Sequence, residues 1–510
     1  MLTGNATQET TDRHAEAHSD IAHNPLGQTG LQVSAAGFGG YRVDISIDLF
    51  HQALAHALRH GVNLIDTSTN YADGGSEELV GAVLQRLQGQ GELSREVVVV
   101  VSKAGYLQGQ NYERAVQRQE AGEAWPDLVP YAQGLAHCIH PHFLEDQLTR
   151  SLARLQMETL DVYLLHNPEY YLNWAAKNGV PLDEARETYY ERIERAFRYL
   201  ETEVERGRLQ YYGISSNTFP APSDDPAHTS LARVWDLAQS IADDHHFAVV
   251  QLPANLLETG FVTEKNQPGG ESVLALARRR NLGVLINRPL NAIRDDGLVR
   301  LAAVPQVDLP RGEESDPQHV EEAIARLVAE ERRFSGEIRP LLSLQRPQLA
   351  QLAETFTVGR LLQARWRGFD GYQNWQEVQA RYLVPQLQNA VQFLQSRENL
   401  PQEAREWLQA YVYTTNEALN AVGAVYAAQA AEQASAIREQ VAAADTDWAQ
   451  APTLSQLAIR ALRSTAGVSS VLVGMRREAY VDDVLAELRR EITTSPREST
   501  WQAISDSIEI

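Results

Sequence analysis

The chain has 510 residues, 43% hydrophobic and 22% charged, with a formal net charge of −22. That length exceeds what one ordinary core fills, so two compact units are expected; the acidic balance argues against a nucleic-acid-binding surface, which needs clustered Lys and Arg. A single cysteine, Cys138, excludes an intrachain disulfide and a cysteine-based zinc site, so no metal is expected and a reducing, cytoplasmic compartment fits.

Residues 1–23 hold no apolar h-region and read as a disordered tail without a secretory signal. An early strand is expected at Ala36–Phe38. A helix over Asp48–His60 places Phe50, Leu54, Ala57 and Leu58 on one face and stops at Gly61; a strand follows to Asp66. Ser76–Leu87 reads as a helix with Ser76 as N-cap and Glu77 and Glu78 in its first turn. Glu96–Ser102 is apolar almost throughout, as a strand buried on both faces should be. Its Val97–Val101 run is the longest purely aliphatic one, far short of a membrane span. Ala104–Pro141 is long for a connection, which suits a lid or a pocket wall. A helix over His142–Leu155 carries Leu144, Leu148, Leu152 and Leu155 at helical spacing. Strands at Asp161–His166, Tyr211–Ser215, Val249–Leu252, Gly283–Asn287 and Ser470–Val473 bring the count to eight. Strand-helix alternation with apolar strands predicts an α/β fold, and eight repeats favour a closed (β/α)8 TIM barrel over a doubly wound sheet.

The alternation stops between residues 294 and 450, where helical stripes take over. Val384, Leu387, Val391 and Leu394 form one; Trp407, Tyr411, Ala418, Val422 and Val425 form another. The expected organisation is therefore a barrel over 24–293 and 451–492, an all-α insertion over 294–450, and a C-terminal tail over 493–510. Gln386, Gln388, Gln392 and Gln395 read as a solvated face, with pairing to a second copy as the alternative.

In such a barrel, chemistry sits at the carboxyl ends of the strands. The polar residues ending the predicted strands are Asp66, Ser102-Lys103, His166, Ser215-Ser216-Asn217, Gln251 and Asn287-Arg288, with Tyr71 just past one of them. Lys103 stands out because the chain has only two other lysines, Lys177 and Lys265. A free tyrosine has a pKa of about 10. An adjacent ammonium is expected to lower it, a carboxylate to hold the ammonium, and an imidazole to position a substrate oxygen. Asp66, Tyr71, Lys103 and His166 supply those four groups.

Leu26-Gly-Gln-Thr-Gly-Leu-Gln-Val-Ser34, Gly37-Phe-Gly-Gly40, Asp66-Thr-Ser-Thr-Asn-Tyr71, Val101-Ser-Lys103 and Leu164-Leu-His166-Asn-Pro168 together resemble the aldo-keto reductase family. The resemblance covers residues 24–292 and 452–487. It implies an NADP(H)-dependent oxidoreductase acting on a small-molecule aldehyde or ketone, or on an alcohol or sugar in reverse. Tyr71 is then the general acid, Lys103 its modulator, Asp66 the partner of the lysine and His166 the orienting group. Gly40, Tyr41, Asp66, Ser215, Ser216, Asn217, Gln251, Asn287, Arg288, Pro289, Leu290, Gly474, Arg476 and Arg477 fall at cofactor positions. Asn287 stands where the family commonly carries a stacking aromatic, with the Arg288 guanidinium as a substitute. Arg476 and Arg477 fall where the family binds the 2′-phosphate of NADPH. Tyr41, Tyr106, His166 and Tyr170 are expected at the substrate, with Trp125, Tyr171 and Trp174 in neighbouring loops; such walls suit sugars, aromatic aldehydes or quinones. The competing expectation is a cofactor-sensing or scaffolding subunit, as the family's potassium-channel β subunits are, acting through the insertion. A third makes the insertion an oligomerisation or lid module. Neither nucleic acid nor membrane is an expected partner.

Overall fold

The structure is a computed structural model describing residues 1–294, 297–305, 309 and 315–507. Parts of the expected insertion and of the tail, residues 295–296, 306–308, 310–314 and 508–510, lie outside the described residues. The chain divides into two compact units: Met1–Ala302 with Arg438–Ile510, and Ala303–Ile437. No described helix is long and apolar enough to cross a membrane.

The first unit is built on a closed barrel of eight strands, all paired in parallel in chain order. These are β1 Ala36–Gly39, β2 Leu64–Asp66, β3 Val99–Ala104, β4 Leu160–His166, β5 Leu209–Ser215, β6 Phe247–Pro253, β7 Gly283–Asn287 and β8 Ser470–Val473. Every residue of β3, β4 and β6 is buried, because helices cover the outside while side chains fill the inside. Leu64, Val99, Val101, Val162, Leu164, Val249, Leu285 and Leu472 meet in that interior. At Gly213 any Cβ would lie 1.7 Å from the Val249 carbonyl oxygen, so only glycine lets β5 approach β6 at the irregularity in their register.

Several expectations need correction. Residues 1–23 are not a loose tail: Gln8–Ala17 is a helix with a Thr7–Thr10 capping box. Leu2 and Ala6 are buried, and the Ala6 N–H donates to Asp161 Oδ1 at 2.8 Å. This segment is held by caps and hydrogen bonds that leave no apolar periodicity. The C-terminal residues likewise form a helix, Glu498–Ser507, whose buried Trp501 donates to Thr465 Oγ1 at 2.9 Å. Ser76 does not cap its helix, which begins at Gly75; its hydroxyl instead donates to the Gly40 carbonyl at 3.0 Å. A strand pair, Asn291–Arg294 with Gly297–Arg300, stands where helix alone was expected. The 104–141 excursion carries a three-stranded antiparallel sheet, Tyr106–Leu107, Leu135–His137 and Val129–Ala132, and the helix Gly109–Glu120.

The second unit is helical. Its helices are Pro317–Arg333, Arg346–Thr355, Val358–Arg365, Gly371–Val378, Val384–Gln395 and most of Gln402–Ala444. Phe334, Phe356, Trp407 and Tyr411 pack ring on ring at 4.9–5.2 Å in its core. The 407–425 stripe is buried there, and Gln386, Gln388, Gln392 and Gln395 are exposed.

Candidate active site

The carboxyl ends of β2, β3 and β4 bring Asp66, Lys103 and His166 to one mouth of the barrel, and the turn after β2 adds Tyr71. Lys103 is fully buried, Asp66 4% exposed and His166 7% exposed. Lys103 Nζ donates to Asp66 Oδ1 at 2.5 Å and lies 5.0 Å from the centre of the Tyr71 ring. Tyr71 meets His166 edge-on at 6.0 Å and Tyr41 at 5.3 Å. Five non-glycine residues on this rim, Arg42, Ala72, Asp73, Asn167 and Arg288, hold left-handed backbone. Such strain persists only where surrounding contacts enforce it.

Electrostatics correct one expectation. Burial, aided by the Asp66 carboxylate and Tyr41, pushes the Tyr71 phenol well above its usual range, not below it. Lys103 is itself lowered by burial, against the pull of Asp66. Burial and the Asp66 carboxylate thus outweigh the pull of the ammonium on the protonated phenol. Burial, then the Lys103 charge and His137, hold His166 well below its usual range, leaving the imidazole neutral. Its Nδ1 is 3.1 Å from Ser68 Oγ.

Gln251 ties the rim together. Its Nε2 donates to Asp66 Oδ1 at 2.7 Å, and its Oε1 accepts from Ser215 Oγ at 2.9 Å and from Asn287 Nδ2 at 3.4 Å. Asn287 Oδ1 is buried without a hydrogen-bond partner among the described residues. The two serines diverge: Ser215 faces Gln251, while Ser216 Oγ bonds with Thr218 and Thr229. Asn217 is exposed, its N–H donating to Glu169 Oε1 at 2.8 Å. Arg288 is held by Glu258 at 2.7 Å, so its guanidinium is committed to an ion pair. Pro289 and Leu290 lead into the strand pair that carries Arg300.

Burial, and then the charges of Arg476 and Arg42, lower the Arg300 guanidinium to about 10, so three cations converge beside the loop that follows β8. Arg476 is half-buried there; Gly474 and Arg477 are exposed, with Arg477 5.9 Å from the Tyr480 ring.

The aromatic wall is assembled in part by the 104–141 excursion. Tyr106 packs edge-on to His166 at 4.7 Å and to Tyr170 at 5.0 Å, and its hydroxyl accepts from Asn167 Nδ2 at 2.6 Å. Tyr41 is 61% exposed. Trp125 is buried against Phe143, and Tyr171 lies between Trp174 and Arg192, so these are packing groups.

Sequence reasoning missed Ser68, His137, Glu169, Glu258 and Arg300. His137 Nε2 is 2.8 Å from the His166 carbonyl oxygen. Glu169 is only 2% exposed. Burial raises its carboxyl to about 7 against the Asn217 N–H and the Ser216 hydroxyl. A charge directly after the His-Asn-Pro run was a signal for Glu169; nothing in periodicity marks Arg300.

The Aldo/keto reductase family profile matches residues 35–292, just over half the chain. Among relatives, the NADH-specific methylglyoxal reductase of Escherichia coli (strain K12) is 28% identical over 153 residues, 28% of this chain and 40% of the relative. The L-galactose dehydrogenase of Arabidopsis thaliana is 29% identical over 164 residues, 31% of this chain and 48% of the relative. The chain thus spans less than half the length of either. Among solved structures, the holo form of aldo-keto reductase AKR11C1 from Bacillus halodurans aligns at a TM-score of 0.44 and 16% identity, over 95% of this chain and 96% of that one. With a family profile over more than half its length, the chain belongs to the aldo/keto reductase family.

Proposed function

We propose that the chain uses NADPH to reduce a small-molecule aldehyde or ketone, or runs the reverse oxidation of an alcohol or sugar, with Tyr71 as the general acid. The observation that carries this reading is the meeting of Asp66, Tyr71, Lys103 and His166 at one mouth of the barrel. When bound, the nicotinamide supplies a hydride to the carbonyl carbon. The oxygen then needs a proton, and the Tyr71 phenol, kept protonated by burial, holds one at neutral pH. The O–H bond of Tyr71 breaks as the substrate O–H bond forms. The resulting phenolate faces Lys103, whose ammonium, held by Asp66, stabilises the new charge. Neutral His166 orients the reacting oxygen, and Tyr41, Tyr106 and Tyr170 wall the space around it.

The residues present fit the cofactor. Ser215, Gln251 and the orphaned Asn287 oxygen form a polar rim that suits the carboxamide. Arg42, Arg300 and Arg476, with Arg477 beside them, supply positive charge for phosphate, which guanidinium groups match well. That charge favours NADPH over NADH.

The test is a carbonyl and sugar panel read by NADPH absorbance, with both cofactors' Kd measured. Carbonyl-dependent oxidation that is lost in Tyr71→Phe, with NADPH binding tighter than NADH, is expected. Equal affinity for the two cofactors would remove the phosphate site, and no turnover on any carbonyl would remove the reductase reading.

A further inference from the structure

The residues just after Tyr71 form a distorted stretch beside the site. Ala72 and Asp73 hold φ of 48° and 55°, left-handed backbone that non-glycine residues adopt only under constraint. The constraint comes from the 104–141 excursion. Both Asp73 carboxylate oxygens accept the Gln110 main-chain N–H at 3.2 Å. Gln110 lies in the first turn of the helix Gly109–Glu120, so the carboxylate also meets that helix's positive end. On the other side of Tyr71, Asn70 Nδ2 donates to Gln108 Oε1 at 3.1 Å. Asn70 Oδ1 in turn accepts from Ser68 Oγ at 2.7 Å, and Ser68 Oγ lies against His166 Nδ1. At Gly109, with φ of +51°, a Cβ would lie 2.7 Å from the Asp73 carboxylate, so glycine permits the approach. Tyr71 is thus fastened on both flanks to one end of one helix.

We propose that Asp73, assisted by Asn70, is a positioning residue that aims the Tyr71 phenol at the reacting oxygen by docking its loop on the helix Gly109–Glu120. The proposal rests on the reading of Tyr71 as proton donor. Without the dock, residues 72–73 relax out of left-handed backbone and the phenol moves with them. A misplacement on the order of 1 Å lowers rates by about a hundredfold. The polar rim and the arginines lie on other elements, so cofactor affinity stays.

The experiment compares Asp73→Ala, Asp73→Asn, Gly109→Ala and the Asp73→Ala/Gly109→Ala double variant for kcat and for cofactor Kd by fluorescence. Asp73→Ala lowers kcat by about tenfold or more, with cofactor Kd changed by no more than about twofold. Asp73→Asn recovers most of the rate, because the amide oxygen still accepts from Gln110 and asparagine tolerates positive φ. Gly109→Ala matches Asp73→Ala, and the double variant is no worse than either single one, since both break the same contact. Parental kcat in Asp73→Ala overturns the proposal, as do multiplying losses in the double variant or a parallel loss of cofactor binding. Tyr71→Phe, measured alongside, keeps the two readings apart. If it is inactive while Asp73→Ala is unimpaired, only the positioning role falls; if it is fully active, the proton-donor reading falls.

Discussion

The barrel carries a buried aspartate paired with a cation at each end, and the two pairs differ in how fully the carboxylate is satisfied. At the amino end, Asp161 takes four hydrogen bonds: Oδ1 from the Ala6 N–H and Gln210 Nε2, Oδ2 from Arg95 Nη2 and the Val100 N–H, all at 2.7–2.8 Å. It joins the N-terminal segment, the entry to β3 and the bases of β4 and β5 into one knot. At the carboxyl end, Asp66 accepts from Lys103 and Gln251 through Oδ1 alone, and its cation faces a tyrosine ring. The Asp161 carboxylate has no capacity left and serves the fold. The partly satisfied pair keeps capacity at the place where the proposed proton transfer would move charge.

The largest effect that could break this contrast is on turnover. Lys103→Met and Asp66→Asn should each lower kcat by about a thousandfold, within the range of proton-transfer catalysis, while Asp161→Asn leaves kcat per folded molecule unchanged. Next comes stability. Asp161→Ala strands a buried guanidinium and three other donors, costing about 3–5 kcal/mol in a denaturant titration. Glu169 sharpens the contrast, since this buried carboxylate accepts a well-formed bond at only one oxygen. Its carboxyl titrates at about 7 folded against an ordinary 4.5. The folded state therefore binds the extra proton between those values, and stability falls as pH rises from 4.5 to 7. Glu169→Gln should gain about 3 kcal/mol over the parent above that window and nothing below it, read as Tm against pH. Smallest is Arg300→Ala, which should weaken NADPH by about tenfold and NADH hardly at all.

Most of the strands were legible because short apolar runs ended in polar residues, and those polar endings marked Asp66, Lys103, His166, Ser215 and Gln251. Tyr71 followed from its spacing to Asp66. What was not legible depends on contacts far apart in sequence. The first 23 residues show no periodicity, yet hydrogen bonds to Asp161, Glu96 and Gln156 and the buried side chains of Leu2, Ala6 and Ile21 fix them. Ser76 has the look of a helix cap, but its hydroxyl is drawn to Gly40. Arg300 becomes a site residue only because a strand pair folds it towards Arg476 and Arg42. The direction of the Tyr71 shift was misread because a sequence places an ammonium near a phenol but does not show how deeply the phenol is buried beside Asp66.

Single-turnover mixing of the NADPH-loaded protein with excess aldehyde tests the rim pair most directly. The parent should oxidise one equivalent of bound NADPH in a fast phase, and Tyr71→Phe should hold the same NADPH yet lose that phase. An undiminished fast phase in Tyr71→Phe would contradict the account.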